Sequence, residues 1–408
     1  MTGWSRVLPC LLALALPSPL AAQALPSGPI EFADGHVTIA GDVSAGYGTD
    51  DTGAYFNYTD YDHSALRLLR IDVSAAVKAN DHLSLLAELR TENLDYAEPY
   101  ALYARIRPWS DHDFVIDAGR IPPIFGAFAR RTYPTDNPLI GYPLGYQYLT
   151  SLRPDALPAS ADELLRKRGL GWEDAFSIGS TSRDHGVPLV TAFRWDTGVE
   201  VFGGSDRDGV ISGGVAVTSG TVSNPRVGDD NSGRQFAGRV QLRPVVGLVV
   251  GSSLSWGPWV ANSASQAAVG VNNSSQYTQT AWGTDVEYSR DQILLRGETI
   301  LSAWRLPIVD APVLQLPLRA FSTSIEGRYK ILPGFYAAAR FDHIGFSEIT
   351  GTSATLPWDA PVTRVEIGPG ISLQRNLLLK ISYQDNRRDG GPLKQHTHDG
   401  AFQIVYWF

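Results

Sequence analysis

The 408-residue chain has one cysteine, Cys10, and only five lysines, Lys78, Lys167, Lys330, Lys380 and Lys394. A single thiol leaves no disulfide and no cysteine-based metal site. Cys10 falls inside an apolar run, 7–16, that follows Arg6 and precedes Pro17, Pro19 and the small-x-small triplet Ala22, Gln23, Ala24. That order is the pattern of a secretory signal peptide, so residues 1–24 are expected to be removed and the mature chain to carry no thiol. The run is about half the length that crosses a bilayer as a helix, and no stretch of about 18 apolar residues follows it. Helical periodicity is scarce as well, which excludes a helical membrane protein. Without Arg6 the 34 basic residues become 33 against 42 acidic ones, and the formal charge moves from −8 to −9, which argues against nucleic acid as a partner. Arginine supplies nearly all the positive charge. Its guanidinium stays ionised in any surroundings and presents a planar fork of donors, as a permanently charged lining requires.

What the chain has instead is period two. In 236–243, Phe236, Gly238, Val240 and Leu242 share one face, and Ala237, Arg239, Gln241 and Arg243 the other. The same alternation runs through 37–47, 69–78, 83–92, 102–107, 211–218, 248–256, 282–288, 293–299, 321–330, 335–342 and 377–384. A weakly marked strand near 170–178 and a small hairpin at 193–204 bring the count to 18, or 16 if the weakest pair merges. Turns at 79–81, 108–113, 244–247, 290–292, 332–334 and 374–376 are short, whereas 48–64, 220–233, 257–279, 304–317, 345–361 and 387–397 are long and polar. Short turns on one rim and long loops on the other are how an outer-membrane barrel is built, and a two-sheet sandwich does not sort its loops this way. The expected fold is therefore all-β: a transmembrane antiparallel β-barrel of 16–18 strands over residues 25–408, with short periplasmic turns and long extracellular loops. At that size the interior is wide enough for water.

Charge separates the two faces. Arg70 with Asp72, Glu88 with Arg90 and Glu92, Arg296 with Glu298, Glu326 with Arg328, Arg340 with Asp342, and Arg364 with Glu366 each lie two apart and share a face. One such pair fits a solvated sheet; repetition on strand after strand fits a lumen. The expected pore lining is Arg70, Glu88, Arg90, Arg105, Arg107, Arg239, Arg243, Arg296, Arg340 and Asp342. On the apolar face, Tyr47, Trp256 and Tyr383 fall near long loops, and Phe114, Tyr329 and Phe335 near short turns, as two headgroup-level girdles require. The chain closes on HDGAFQIVYWF, in which Phe402, Ile404, Tyr406 and Phe408 share one face. That end reads as a last strand, apolar on its lipid side to the final residue and closing against the first.

The connection 121–168 is too long to be a mere link. It is stiffened by Pro122, Pro123, Pro134, Pro138, Pro143, Pro154 and Pro158 and carries Tyr133, Tyr142, Tyr146 and Tyr148. Ser160 and Glu163 form a capping box, so a short helix with a basic end precedes Gly169. From Gly119 to Arg168 the basic residues Arg120, Arg130, Arg131, Arg153, Arg166, Lys167 and Arg168 outnumber Asp136, Asp155, Asp162 and Glu163, seven to four. Folded into the lumen, this segment would be a pore constriction favouring anions; packed outside, it would meet a neighbouring subunit.

These features together resemble those of bacterial outer-membrane porins, closest to the phosphate-selective porin group. The motifs that carry the likeness are DAGRIPPIFGAF at 117–128, FRWDTGVEVFGG at 193–204, FYAAARFDHI at 335–344 and the aromatic end at Phe408. The resemblance implies passive diffusion of small hydrophilic or anionic solutes, a constriction made by the third long loop, and a homotrimer. It also implies a setting in outer-membrane lipid and lipopolysaccharide, and recognition of the strand ending at Phe408 by the barrel assembly machinery. Phosphate selectivity in that group depends on lysine clusters, which this chain does not have, so a general or weakly anion-preferring pore is expected.

Catalytic signatures are missing: there is no Gly-x-Ser-x-Gly elbow, His-Glu-x-x-His, P-loop or dinucleotide fingerprint. No enzyme, cofactor or metal is expected. His396 and His398 in QHTHDG would point to one side of a strand, but polar rim residues are the ordinary explanation. The acidic turns GTDDTG at 48–53 and GDDNSG at 228–233 read as solvated. The competing functions are an outer-membrane hydrolase and a closed structural barrel.

Overall fold

The computed structural model describes residues 26–51, 54–59, 63–109, 111–171, 175–204, 210–226, 229–307 and 310–408. The expected signal peptide and parts of the GTDDTG and GDDNSG turns lie outside the described residues. Sixteen strands form one closed antiparallel barrel. The first eight are β1 (Val37–Gly48), β2 (Leu69–Lys78), β3 (Leu83–Glu92), β4 (Ala97–Ile106), β5 (Phe114–Ile121), β6 (Asp196–Gly203), β7 (Ile211–Thr218) and β8 (Gln235–Val245). The second eight are β9 (Leu248–Pro258), β10 (Thr278–Arg290), β11 (Ile293–Trp304), β12 (Leu318–Leu332), β13 (Phe335–Phe346), β14 (Val362–Gln374), β15 (Leu377–Arg388) and β16 (His396–Trp407). Each pairs with its neighbours in sequence, and β16 returns to β1 in the register Asp42↔Trp407 to Gly48↔Ala401.

The seam shows why the chain ends on an aromatic. β16 covers only the upper part of the β1 edge, and a three-residue strand, Ile30–Phe32, covers Val37–Ile39 below it. Between the two, Gly41 and Phe408 exchange a pair of backbone hydrogen bonds of 3.1 and 2.9 Å. The Phe408 ring lies over Gly41, where a Cβ would come within 2.5 Å of it. The terminus is thus held by backbone pairing and by a ring seated in a gap that only glycine leaves.

Alternation places apolar side chains outside. Val73, Leu85, Leu89, Val215, Leu254, Ile325, Ile367 and Ile381 are exposed, whereas Arg70, Arg90, Arg340 and Arg364, on the opposite face, are completely buried. An outer surface of this composition has no place in water and matches a hydrocarbon layer. Among the described residues no helix is long and apolar enough to cross a membrane, which says nothing about a barrel.

Two expected strands are corrected. Among the described residues of 170–178 none joins the barrel; Ile178–Gly179 pairs instead with Ala156–Leu157. The stretch 193–204 is not a hairpin but loop followed by the single strand β6, so the count is sixteen. One connection on the long-loop rim is short: β3 and β4 are joined by 93–96, with Asn93 and Leu94 both left-handed, as a tight hairpin turn of matching twist needs.

The connection between β5 and β6 runs from 122 to 195. It builds a dry core with Phe125, Phe128, Tyr142, Tyr146, Tyr148, Leu152, Leu164 and Phe193, closed by Trp259, Trp304 and Trp358 from the barrel and its loops. Within it, Ser160 caps the helix Ala161–Arg166 by accepting from Glu163 N at 3.3 Å. The Glu163 carboxylate reaches back to Ala159 N at 2.6 Å, one residue before the partner a standard capping box uses.

Candidate functional site: the barrel interior

Strand period two aims every second side chain inward, and the inward charges form four groups. On β2 and β3, Arg70 holds Glu92 with two bonds of 3.0 and 2.7 Å and reaches the Tyr142 hydroxyl at 2.8 Å and Thr132 O at 3.2 Å. Arg90 donates to Asp72 at 2.5 Å and lies 3.4 Å above the Tyr100 ring. Glu88 accepts the Tyr133 hydroxyl at 2.6 Å. Burial pushes the Tyr133 phenol well above its usual range, so it remains a donor at every working pH.

A second group spans β12 to β15. Arg340 meets three carboxylates, Glu366 at 2.6 Å, Asp342 at 3.0 Å and Glu326 at 3.2 Å. Glu366 in turn accepts Ile140 N and Gly141 N from the 122–195 segment, at 3.2 and 2.9 Å. Lys380 donates to the carbonyls of Pro134, Asn137 and Leu139, at 2.5, 2.6 and 3.4 Å. Arg364 is shared between Asn386 at 2.6 Å, Phe56 O at 2.7 Å and Gln147 at 3.1 Å. Both groups are largely buried; Arg70 and Arg364 bond the inner segment directly, whereas Arg340 reaches it only through Glu366 and Arg90 hydrogen-bonds wall carboxylates.

The remaining two groups keep contact with water. Arg239 pairs bidentately with Asp285 at 2.7 and 2.8 Å; beside it Arg296 bridges Glu287 at 2.9 Å and Glu326 at 3.3 Å, and Arg131 joins Glu287 at 2.9 Å. On β4 and β5, Arg105 forks onto Asp117 at 2.9 and 2.8 Å with 28% of its side chain open. Arg243 donates to Ser212 at 2.9 Å. The expected lining residues are therefore sorted by what covers them. Arg70, Glu88, Arg90, Arg340 and Asp342 face inward but lie under the 122–195 segment, Arg239 is buried in its pair, Arg105, Arg243 and Arg296 stay half-open, and Arg107 lies exposed on the short-turn rim.

The seven basic residues of the segment are not gathered at one point. Arg120 lies opposite Leu102, on the outward face, and donates to Trp195 O at 3.2 Å. The Arg130 side chain lies outside the described residues. Arg153 is buried, forked onto Asp155 at 3.1 and 2.8 Å and bonded to Ser182 O at 2.7 Å. Arg166, Lys167 and Arg168 end the helix near the outer loops. Asp162 in that helix accepts from Thr352 N and its hydroxyl at 2.7 and 2.6 Å, and Arg168 reaches Asp389 O at 3.4 Å. Among the described side chains of this set, Arg131 is the one that pairs with a water-facing charge of the wall, Glu287. Glu287, Glu366 and Lys380 of these groups, and Glu298, which accepts Ala127 N at 2.8 Å and the Tyr146 hydroxyl at 2.7 Å, are not on the expected lining; i,i+2 charge spacing on strands is the signal that marks Glu298 and Glu366, while Lys380 carries no such mark.

Two cavities flank the segment. One of about 670 Å³ opens toward the long loops and is lined in part by Asp155, Asp184, His185, Arg194, Arg226 and Asp230. The His185 hydrogen bond holds the Asp184 carboxyl down at about 2, so it stays negative, whereas burial pushes that of Asp230 up against the opposing pull of Arg226. The other, about 710 Å³, lies between Thr135 and Pro138 of the segment and the short-turn rim, with Arg328, Lys330, Tyr336 and Trp407.

No family model matches the chain, and no curated protein does. Solved structures do. The Salmonella typhi OmpF complex with daunomycin superposes with a TM-score of 0.56 at 12% identity, over 93% of this chain and 100% of that one. The anion-selective porin from Comamonas acidovorans gives 0.55 at 10% identity, over 91% and 99%, and the outer membrane channel DcaP of Acinetobacter baumannii gives 0.52 at 11%, over 93% and 99%. The fold is that of the sixteen-stranded porins. At these identities the likeness is one of fold alone, and solute, selectivity and assembly have to be argued from this chain's own residues.

Proposed function

We propose that the protein is a porin of the bacterial outer membrane, a water-filled channel for passive diffusion of small hydrophilic solutes, in which the 122–195 segment narrows the lumen. The carrying observation is the combination of an apolar outer face with an inner wall whose charges are tied to a segment folded within. Among the described residues, the partly exposed charges of the inner wall include Arg105, Arg243, Arg296 and Arg328 against Glu98, Glu287 and Glu298, and those of the segment include Arg131, Arg166, Lys167, Arg168, Arg183 and Arg194 against Asp136, Asp155, Asp162 and Asp184. This excess of positive charge supports a weak preference for anions. It gives no reason to single out phosphate, because no lysine cluster stands at the water-facing positions named here.

Single-channel recording in a planar bilayer under a salt gradient tests the reading. Stepwise conductance with an anion-biased reversal potential is the expected result; inserted protein that never conducts would favour the structural or hydrolytic alternative. Arg131→Ala should then shift the anion-to-cation permeability ratio toward cations by about two- to fivefold, the change that about 0.5–1 kcal/mol of a solvent-facing charge produces. An unchanged ratio would take Arg131 out of the ion path.

A further inference from the structure

The outward face of the β15–β16 hairpin changes character at Tyr383. On one side of it the strands present Ile381, Phe402 and Ile404. On the other, toward the loop 389–395, they present Asp385, Arg387, His396 and His398. An aromatic at this turnover marks the membrane interface, so the four polar residues stand just beyond the hydrocarbon, in reach of water. The two histidine side chains are about half open, at 49% and 53%.

Register assembles the group. His396 and His398 are one strand period apart and share the outer face, and pairing sets Asp385 opposite His398 and Arg387 opposite His396. His396 Nε2 lies 3.2 Å from Asp385 Oδ1, His398 Nδ1 lies 3.8 Å from Asp385 Oδ2, and the ring centroids are 4.4 Å apart. One nitrogen from each ring and one carboxylate oxygen all fall within 4.8 Å of one another. Two ligands of a tetrahedral ion with bonds of about 2.0–2.1 Å stand roughly 3.3 Å apart, so these three donors need only small side-chain rotations to meet one ion.

We propose that Asp385, His396 and His398 form a binding site for a divalent transition-metal ion, Zn²⁺ or Cu²⁺, on the outer rim of the barrel. Two imidazoles and one carboxylate suit these ions and not the oxygen-seeking Ca²⁺ or Mg²⁺. Three protein ligands leave the fourth position open toward the outside. Arg387 bonds both oxygens of Asp385, at 3.0 and 3.3 Å, and orients the carboxylate from behind. His398 Nδ1, 2.8 Å from the Tyr383 hydroxyl, gives up that hydrogen bond when it takes the ion. None of the three ligands faces the interior, so the site is independent of the channel.

The test is Zn²⁺ titration calorimetry on untagged, refolded protein in detergent, joined by electron paramagnetic resonance of the Cu²⁺ form. One ion per chain is expected, with Cu²⁺ hyperfine structure from two nitrogens. Either His396→Ala or His398→Ala should weaken Zn²⁺ binding by about tenfold or more, and the double variant should not bind at this site. Circular dichroism and channel conductance of the double variant should match the parent and so exclude misfolding. Equal binding by parent and double variant would assign the ion to others among the eight histidines and overturn the proposal, as would a parent that binds none.

Discussion

Arg340→Ala should be among the most destabilising single changes in the barrel, costing about 3–5 kcal/mol, because it leaves buried carboxylates without their counter-charge. The guanidinium touches Glu326, Asp342 and Glu366, and its own side chain and that of Glu366 are completely buried. Removing one partner from a sealed group costs far more than the pair contributed, since the remaining ions keep their desolvation penalty. The effect should reach the inner segment, for Glu366 also holds Ile140 N and Gly141 N. Urea unfolding of refolded protein, followed by circular dichroism, measures it. Adding Asp342→Asn to Arg340→Ala should recover part of the loss; a loss below about 1 kcal/mol for Arg340→Ala alone would show that water reaches the group.

Asp359→Ala should release part of the inner segment and make the channel larger or noisier. Asp359 is buried in the loop 347–361 and accepts three backbone N–H groups at 2.7 Å, from Ser151, Gly169 and Ala360. Two of these donors belong to the 122–195 segment, so one carboxylate fastens its middle to an outer loop. An orphaned buried donor costs about 1–3 kcal/mol, and alanine orphans three. Asparagine keeps one acceptor oxygen, which can serve Gly169 and Ala360, but turns an amide toward Ser151. The expected order of hydrogen-exchange protection at Ser151 and Gly169 is therefore parent, then Asp359→Asn, then Asp359→Ala, with single-channel current fluctuations rising in the same order. Equal protection in all three would mean that apolar packing around Tyr148 and Trp358 holds the segment without this carboxylate.

These two effects fall on residues of unequal visibility in the sequence. Arg340 and Asp342 announce themselves by lying two apart on a strand. Asp359 sits in a loop, in WDAP, with nothing to distinguish it from a solvated acid. Arg120 shows the reverse failure: within DAGRIPP it reads as the entry to a basic constriction, yet pairing with Leu102 turns it outward. The stretch 170–178 reads as a strand because short apolar alternation also occurs in a loop that pairs with itself, as Ile178 does with Leu157.

Alternation by itself determined the barrel, the lipid face of most strands, the short and long rims and the docked aromatic terminus. Each follows from a local requirement: one face of every strand must meet hydrocarbon, and the turns between strands need particular residues. The tertiary structure alone decided which inward charges water can reach. That depends on the path of the 122–195 segment, which brings Ile140 to Glu366 and Thr132 to Arg70. Contacts across such separations arise from packing inside a closed wall, and no local period in the chain records them.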